Sequence, residues 1–185
     1  MTTVSYRPVD QLAAEWRVSG RSIESRRALE SLRRREPGIG AWLAPGVGDL
    51  VGLVEQLHRI GPTSATADRQ AREAAAEIVR ALLRSADADP MIPRALLQAL
   101  VPGLFGVAKR LSWGRGGDWE GEGPFLSDLV TTAWEVIADW AGQDRPYAAL
   151  DLLSAIRCRS RRQLIAHRLR ETRVLPTGVC VGDAP

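Results

Sequence analysis

The sequence contains 185 residues, of which 45% are apolar, 25% charged and only 5% aromatic. This composition is typical of a folded globular protein rather than a disordered one, and the length suffices for one compact core with a small appended module. No apolar run approaches the roughly 18 residues that span a bilayer, and the N-terminus lacks the pattern of a signal peptide. We therefore expect a cytoplasmic protein that does not bind membranes. The net charge of +3 is mild, so any nucleic-acid site must come from clustered charges.

Cysteine, histidine and lysine are all scarce. Two cysteines and two histidines are too few, and too widely spaced, for a disulfide framework or a metal site, so we expect neither a metal nor a cofactor. Lys109 is the only lysine among 25 basic residues. Arginine makes bidentate contacts to phosphates and base edges that lysine cannot, although codon bias in a GC-rich genome would produce the same excess.

Helical periodicity runs through nearly the whole chain and predicts an all-α fold, a bundle of about six helices with no significant sheet. The predicted helices cover 9–36 with an interruption at 18–20, then 49–60, 67–86, 90–111, 125–140 and 144–172. Glycine and proline mark the predicted ends of several helices, and Asp144 is the expected N-terminal cap of the last helix. We divide the chain into an N-terminal helical segment (1–62), a helical domain (63–172) and a flexible tail (173–185).

The glycine-rich stretch 112–124, SWGRGGDWEGEGP, raises the question of a phosphate-binding loop. A P-loop follows a strand and ends in Lys-Ser or Lys-Thr, whereas this stretch follows a helix and carries three acidic residues that would repel an anion. It is better explained as a connector between helices. No nucleophile elbow of the GxSxG type is present, and the carboxylates fall in this loop or on helix surfaces. We therefore expect a protein that is not an enzyme.

The first basic segment, 12–32, reads LAAEWRVSGRSIESRRALESL and resembles the helix-turn-helix of many bacterial regulators. Its pattern predicts a tight turn at 18–20, with Val18 and Ile23 holding the second helix to the first. Arg17 stands where those regulators usually carry glycine. The residues expected to face DNA are Arg21, Ser22, Glu24, Ser25, Arg26 and Arg27. The alternative is an ordinary surface helix that carries arginines.

The second basic segment, 155–173, places arginines around a predicted buried line of Leu153, Ile156, Ser160 and Leu164. The candidate nucleic-acid contacts are Arg157, Arg159, Arg161, Arg162 and Arg168. Six arginines on one helix repel one another unless acidic groups or an anionic partner offset them. Either the carboxylates Glu135, Asp139, Asp144 and Asp151 neutralise them internally, or phosphates do.

The order of elements over 94–170 resembles region two of bacterial sigma factors. A helix ending VAKRL is followed by an acidic loop, by FLSDLVTTAWEVIADW, and by a proline-started helix with an arginine cluster. In that family the middle helix typically reads DLVQExFLxxWxA, so Asp128, Leu129 and Val130 match while Thr131-Thr132 replaces Gln-Glu. The aromatic residues that would stack on unpaired bases are missing from 150–170.

The resemblance implies a helical domain that docks on the RNA polymerase clamp and handles the −10 promoter element. We therefore expect a transcription-associated protein that binds DNA, with RNA polymerase as a further partner. The residues expected to face a protein partner are Asp128, Thr131, Thr132 and Glu135. Two alternatives stay open: a helical protein–protein adaptor without nucleic-acid binding, and a conventional helix-turn-helix repressor that uses 12–32.

Overall fold

The computed structural model of the chain describes residues 8–61, 68–112 and 123–173, and within these ranges it contains helices and no strand. Seven α-helices and one 3₁₀ turn follow one another within these described ranges. They are α1 (Pro8–Ser19), α2 (Ile23–Arg35), the 3₁₀ turn Pro37–Ala41, α3 (Leu50–Ile60), α4 (Arg69–Arg84), α5 (Met91–Ser112), α6 (Gly123–Trp140) and α7 (Ala148–Arg173). The all-α prediction is confirmed. Most of the predicted glycine-rich connector and of the predicted tail lies outside the described residues.

The helix α5 lies at the centre of the bundle and packs against α3, α4, α6 and α7. Its Ile92, Ala95 and Leu96 are fully buried, as are Leu82 of α4 and Ile137 of α6. Along each of these helices the buried apolar residues recur every three or four positions. Each helix therefore has an apolar stripe that must pack against neighbouring helices. Because α3 also packs on α5, the predicted segments 1–62 and 63–172 contribute to one continuous core.

We expected no apolar run long enough to span a bilayer, and α5 bears on this expectation. An 18-residue window within Met91–Leu111 has a mean hydropathy of 1.5, so this helix is long and apolar enough, by length and composition alone, to cross a membrane. The buried core helix of a globular protein passes the same test, and 56% of this apolar window is buried inside the bundle. The apolarity of α5 is explained by its neighbours on several sides.

Short polar side chains cap the N-termini of three of the helices. Ser22, Asp49 and Asp68 each accept a hydrogen bond from the backbone N–H three residues later, at 3.2, 2.8 and 2.7 Å respectively. Such caps satisfy donors that a helix leaves free at its N-terminus. The predicted start of the last helix at Asp144 is wrong. The helix α7 begins at Ala148, because the carboxylate of Asp144 instead receives the guanidinium groups of Arg80 and Arg84 on α4.

The two N-terminal helices do not pack as the helix-turn-helix pattern predicts. Val18 and Ile23, expected to hold the helices together, are 80% and 67% exposed. The helix α1 packs mainly against α6, and α2 packs against α3. The expected exposure of Ser25 is wrong as well, since its hydroxyl is buried, donates to the carbonyl of Gly20 and accepts from the N–H of Leu50. The turn between α1 and α2 is therefore held by contacts to α3.

Candidate nucleic-acid interface

Four arginines of α7 project into solvent. Arg157, Arg161, Arg162 and Arg170 are exposed, and none of them forms an ion pair within the described part of the chain. The side chain of Arg168, another candidate contact, lies outside the described residues. These four arginines therefore present positive charge that no described acidic side chain neutralises.

Arg159 differs from its neighbours because it turns toward α6. Its Nη2 donates to Asp139 at 2.8 Å, and its Nη1 lies 3.7 Å from Glu135. The internal neutralisation considered as an alternative therefore applies to this arginine. The other two candidate carboxylates pair elsewhere, Asp144 with α4 and Asp151 with Arg145 at 4.0 Å.

The basic residues of α2 form a second group. Arg26 and Arg27 are exposed and have no acidic partner among the residues that the structure describes, whereas Arg21 lies 3.9 Å from Glu55. A pair that long between exposed groups contributes little. Arg33 and Arg35, further along the helix, bind the carbonyl of Val47 and the carboxylate of Asp87. Arg34, in the last turn, is exposed and has no ion pair among the described residues, so free positive charge lies at both ends of α2.

Three of the four residues expected to face a protein partner lie on the surface of α6. Asp128, Thr131 and Glu135 are exposed, and Glu135 carries the contact to Arg159. Thr132 is only 1% exposed, so its expected place on that surface is wrong. Its hydroxyl is 2.8 Å from the carbonyl of Asp128 and 3.0 Å from Oε1 of Gln163, and it joins α6 to α7.

A polar groove runs beside this contact, between α6 and the second half of α7. Its volume is about 220 Å³, and Leu129 and Leu164 supply its apolar contacts. The remaining lining residues are Asp128, Thr131, Thr132, Ser160, Gln163 and His167. Ser160 is 4% exposed, and its hydroxyl has no hydrogen-bond partner in the described part of the chain. The expected buried line of α7 is confirmed for Ile156 and Ser160.

Sequence reasoning missed a row of exposed apolar residues on the outer side of α7. Tyr147, Leu150, Ile165 and Leu169 are between 49% and 70% exposed. A helical projection contains the signal, because these residues fall off the stripe defined by Ile156 and Ser160. The interpretation of this segment from the sequence considered only the charge of the arginines, although apolar and basic side chains share this side of the helix.

Histidine, cysteine and carboxylate side chains do not converge into a metal-binding group of three or more within 8–61, 68–112 and 123–173. His58 bonds through Nε2 to the carbonyl of Gln98 at 3.0 Å, and it links α3 to α5. No protein-family model matches this chain, and no curated protein or solved structure matches it.

Proposed function

We propose that this protein binds nucleic acid through the exposed arginines of α7 and acts in transcription without catalysing a reaction. One observation carries the proposal: Arg157, Arg161, Arg162 and Arg170 are exposed and lack acidic partners in the described part of the chain. Guanidinium groups spaced along one helix suit the phosphates of a nucleic-acid backbone. The resemblance of 94–170 to sigma-factor region two supports a transcriptional role.

The proposal predicts a strong dependence on salt. Each phosphate that an arginine neutralises releases condensed counterions, and four contacts give a slope of log K against log salt of about −3.6 on duplex DNA. Between 50 and 200 mM salt, affinity should then fall by roughly a hundredfold. Fluorescence anisotropy with labelled duplex and single-stranded DNA at several salt concentrations measures this slope. Absence of binding at low salt would exclude the proposal.

Two matched double variants locate the contact. Arg161→Gln/Arg162→Gln and Arg26→Gln/Arg27→Gln each remove two exposed charges that have no acidic partner among the described residues, so they change net charge equally. We expect the α7 variant to reduce the magnitude of the salt slope by about 1.8. The α2 variant should leave it nearly unchanged. The reverse result would favour the repressor that reads DNA with 12–32.

For the second partner, we propose that RNA polymerase docks on the exposed side of α6 formed by Asp128, Thr131 and Glu135. This assignment rests on the resemblance to the sigma family and on the exposure of these side chains. Affinity capture with purified RNA polymerase core enzyme provides the test. Asp128→Arg should abolish retention, and Glu24→Arg, an equal charge change on exposed α2, should not.

A second candidate function, a protein–protein adaptor, is favoured by the apolar residues that share the outer side of α7 with the arginines. Leu150 and Ile165 are 67% and 49% exposed, and phosphates gain nothing from such side chains. Replacing both with serine separates the two functions. DNA affinity should survive this change, whereas an adaptor would lose its protein partner.

A further inference from the structure

A second groove lies between α1, α5 and α6, and it shares Thr131 of α6 with the groove beside α7. Its volume is about 280 Å³, and two tryptophans, Trp16 of α1 and Trp134 of α6, line it. Leu12, Leu97 and Val130 supply further apolar contacts. Trp134 is 41% exposed, and it is one of seven large apolar side chains that are exposed among the described residues. An exposed tryptophan beside an apolar cavity is a common feature of ligand sites.

The polar groups around this groove are few and differ in kind. Arg94 of α5 is exposed and has no ion pair within the described ranges. Gln98 is 7% exposed, and its amide donates to the carbonyl of Leu12 at 3.2 Å, which leaves its side-chain oxygen available. Glu15 also lines the groove, so an anionic group is favoured only at the end near Arg94.

The indole of Trp16 lines the groove with its ring rather than with its polar atom. Trp16 is only 7% exposed, and its Nε1 is buried without a hydrogen-bond acceptor in the described part of the chain. Cε2, the carbon bonded to Nε1, lies 3.0 Å from where a Cβ atom at Gly20 would be, so this edge of the indole lies against the turn between α1 and α2. Trp16 therefore offers the groove apolar surface only.

From these features we propose that the groove binds a small aromatic carboxylic acid. The aromatic body packs between Trp16 and Trp134 over Leu97, and the carboxylate pairs with Arg94. The volume suits one or two fused rings, and the groove offers a single uncompensated cation for a single anionic group. Because α1 and α6 both line the groove, the bound acid also strengthens the attachment of the N-terminal helix.

The test uses two probes of equal shape, 2-naphthoate and its neutral isostere 2-naphthamide, titrated into the full chain by calorimetry. We expect dissociation constants in the millimolar to submillimolar range, as for ligands of this size. The acid should bind at least about threefold more tightly than the amide. Methyl resonances of Leu97 and Val130 should shift in the NMR spectrum when either probe binds.

Three variants, each verified as folded by circular dichroism, complete the experiment. Arg94→Gln should remove the preference for the acid, whereas the matched control Arg26→Gln, which removes an exposed arginine of α2, should preserve it. Trp134→Ala should weaken the binding of both probes by about tenfold. Absence of binding, equal affinity for the two probes, or a preference that survives Arg94→Gln would overturn the proposal. None of these outcomes depends on whether the α7 arginines bind nucleic acid.

Discussion

Gly20, which joins α1 to α2, occupies a position where the packing admits no side chain. A Cβ atom placed there would lie 2.5 Å from Cγ2 of Val51 and 2.8 Å from the carbonyl oxygen of Trp16. The carbonyl of Gly20 also accepts the hydroxyl of the buried Ser25. A methyl group would therefore separate the turn from α3 and disturb the contacts that hold α2.

We expect Gly20→Ala to reduce the free energy of unfolding by about 1–3 kcal/mol, because the backbone oxygen of Trp16 cannot move without moving α1. Gly40→Ala is the matched control, since nothing lies within 4 Å of a Cβ atom at that position. The control should leave stability unchanged or raise it by up to about 1 kcal/mol. Urea denaturation followed by circular dichroism measures both. Equal effects would show that the turn is not tightly packed.

The adjacent threonines of α6 allow a second comparison at the scale of single residues. Thr132 is buried and hydrogen-bonded to Gln163 of α7, whereas Thr131 is exposed and bonds only within its own helix. Thr132→Val should cost about 1 kcal/mol of unfolding free energy, since Gln163 loses its partner. Thr131→Val should change it by less than about 0.5 kcal/mol. A larger effect at Thr131 would contradict the assigned burial.

The helix α7 has different partners on its different sides. One side packs on the core through Leu152 and Ile156, and a second directs Arg159 to the carboxylates of α6. The remaining surface carries free arginines together with exposed apolar residues. The arginines of one helix are therefore not equivalent, and those without an acidic partner are the ones available to an external anion.

Freeing Arg159 should strengthen nucleic-acid binding. In Glu135→Gln/Asp139→Asn the guanidinium loses both partners, and we expect affinity for duplex DNA to rise about twofold to fivefold at low salt. The salt slope should steepen by about 0.9, the value for one added phosphate contact. Glu24→Gln/Glu30→Gln removes two negative charges from exposed α2 and should leave the slope unchanged. Equal slopes in the two variants would mean that only net charge matters.

At the scale of the whole molecule, an ion-pair network links three regions that are distant in sequence. Asp144, between α6 and α7, lies 2.5 Å from Nε of Arg80 and 3.3 Å from Nη1 of Arg84. Arg84 also binds Glu36 at the end of α2, and Arg80 binds Glu77 at 3.5 Å. The backbone N–H of Gly142 donates to the carbonyl of Leu83 at 3.0 Å, and this bond connects the same loop to α4.

This network predicts a dependence of stability on pH. The hydrogen bond from Arg80 lowers the pKa of Asp144 below its ordinary value of 3.8. Because the pKa of Asp144 is lower in the folded state than in the unfolded state, the carboxylate stabilises the folded state at any pH above the unfolded-state pKa. This contribution is lost as the pH falls through the lower folded-state pKa. Asp144→Asn should therefore lower the urea midpoint by a constant amount between pH 5 and 7. Below pH 3.8 the difference from wild type should shrink.

A control separates this effect from general acid sensitivity. Glu30 is exposed and has no ion pair among the described residues, so Glu30→Gln should leave the urea midpoint nearly unchanged at every pH. A difference between Asp144→Asn and wild type that does not shrink as the pH falls below 3.8 would show that the side chain acts through packing rather than charge.

Local signals in the sequence were sufficient for most of the helices. Helical periodicity depends on neighbours within one or two turns, and the predicted helices 49–60, 67–86, 90–111 and 125–140 agree with α3 to α6 within two residues at each end. The start of α7 was predicted wrongly because the carboxylate of Asp144 can either cap a helix or form an ion pair. The choice depends on Arg80, which is 64 residues away.

The sequence predicted which arginines belong to the candidate site but not how they are arranged or paired. Sequence reasoning identified the arginines of α7, yet it could not separate Arg159 from Arg161, because the carboxylates that pair with one of them belong to another helix. It also placed Val18 and Ile23 in a contact that does not form and Thr132 on a surface where it is buried.

The sequence by itself determined that the protein is all-α, where most helices begin and end, and that Ile156 and Ser160 of α7 face inward. These properties arise from hydrogen bonds and side-chain periodicity within single helices. Only the tertiary structure decided which charges are neutralised, which side of α7 stays open, and that Trp16 and Trp134 share a groove. Contacts between helices depend on the packing of distant segments, and a local pattern carries no information about their distances.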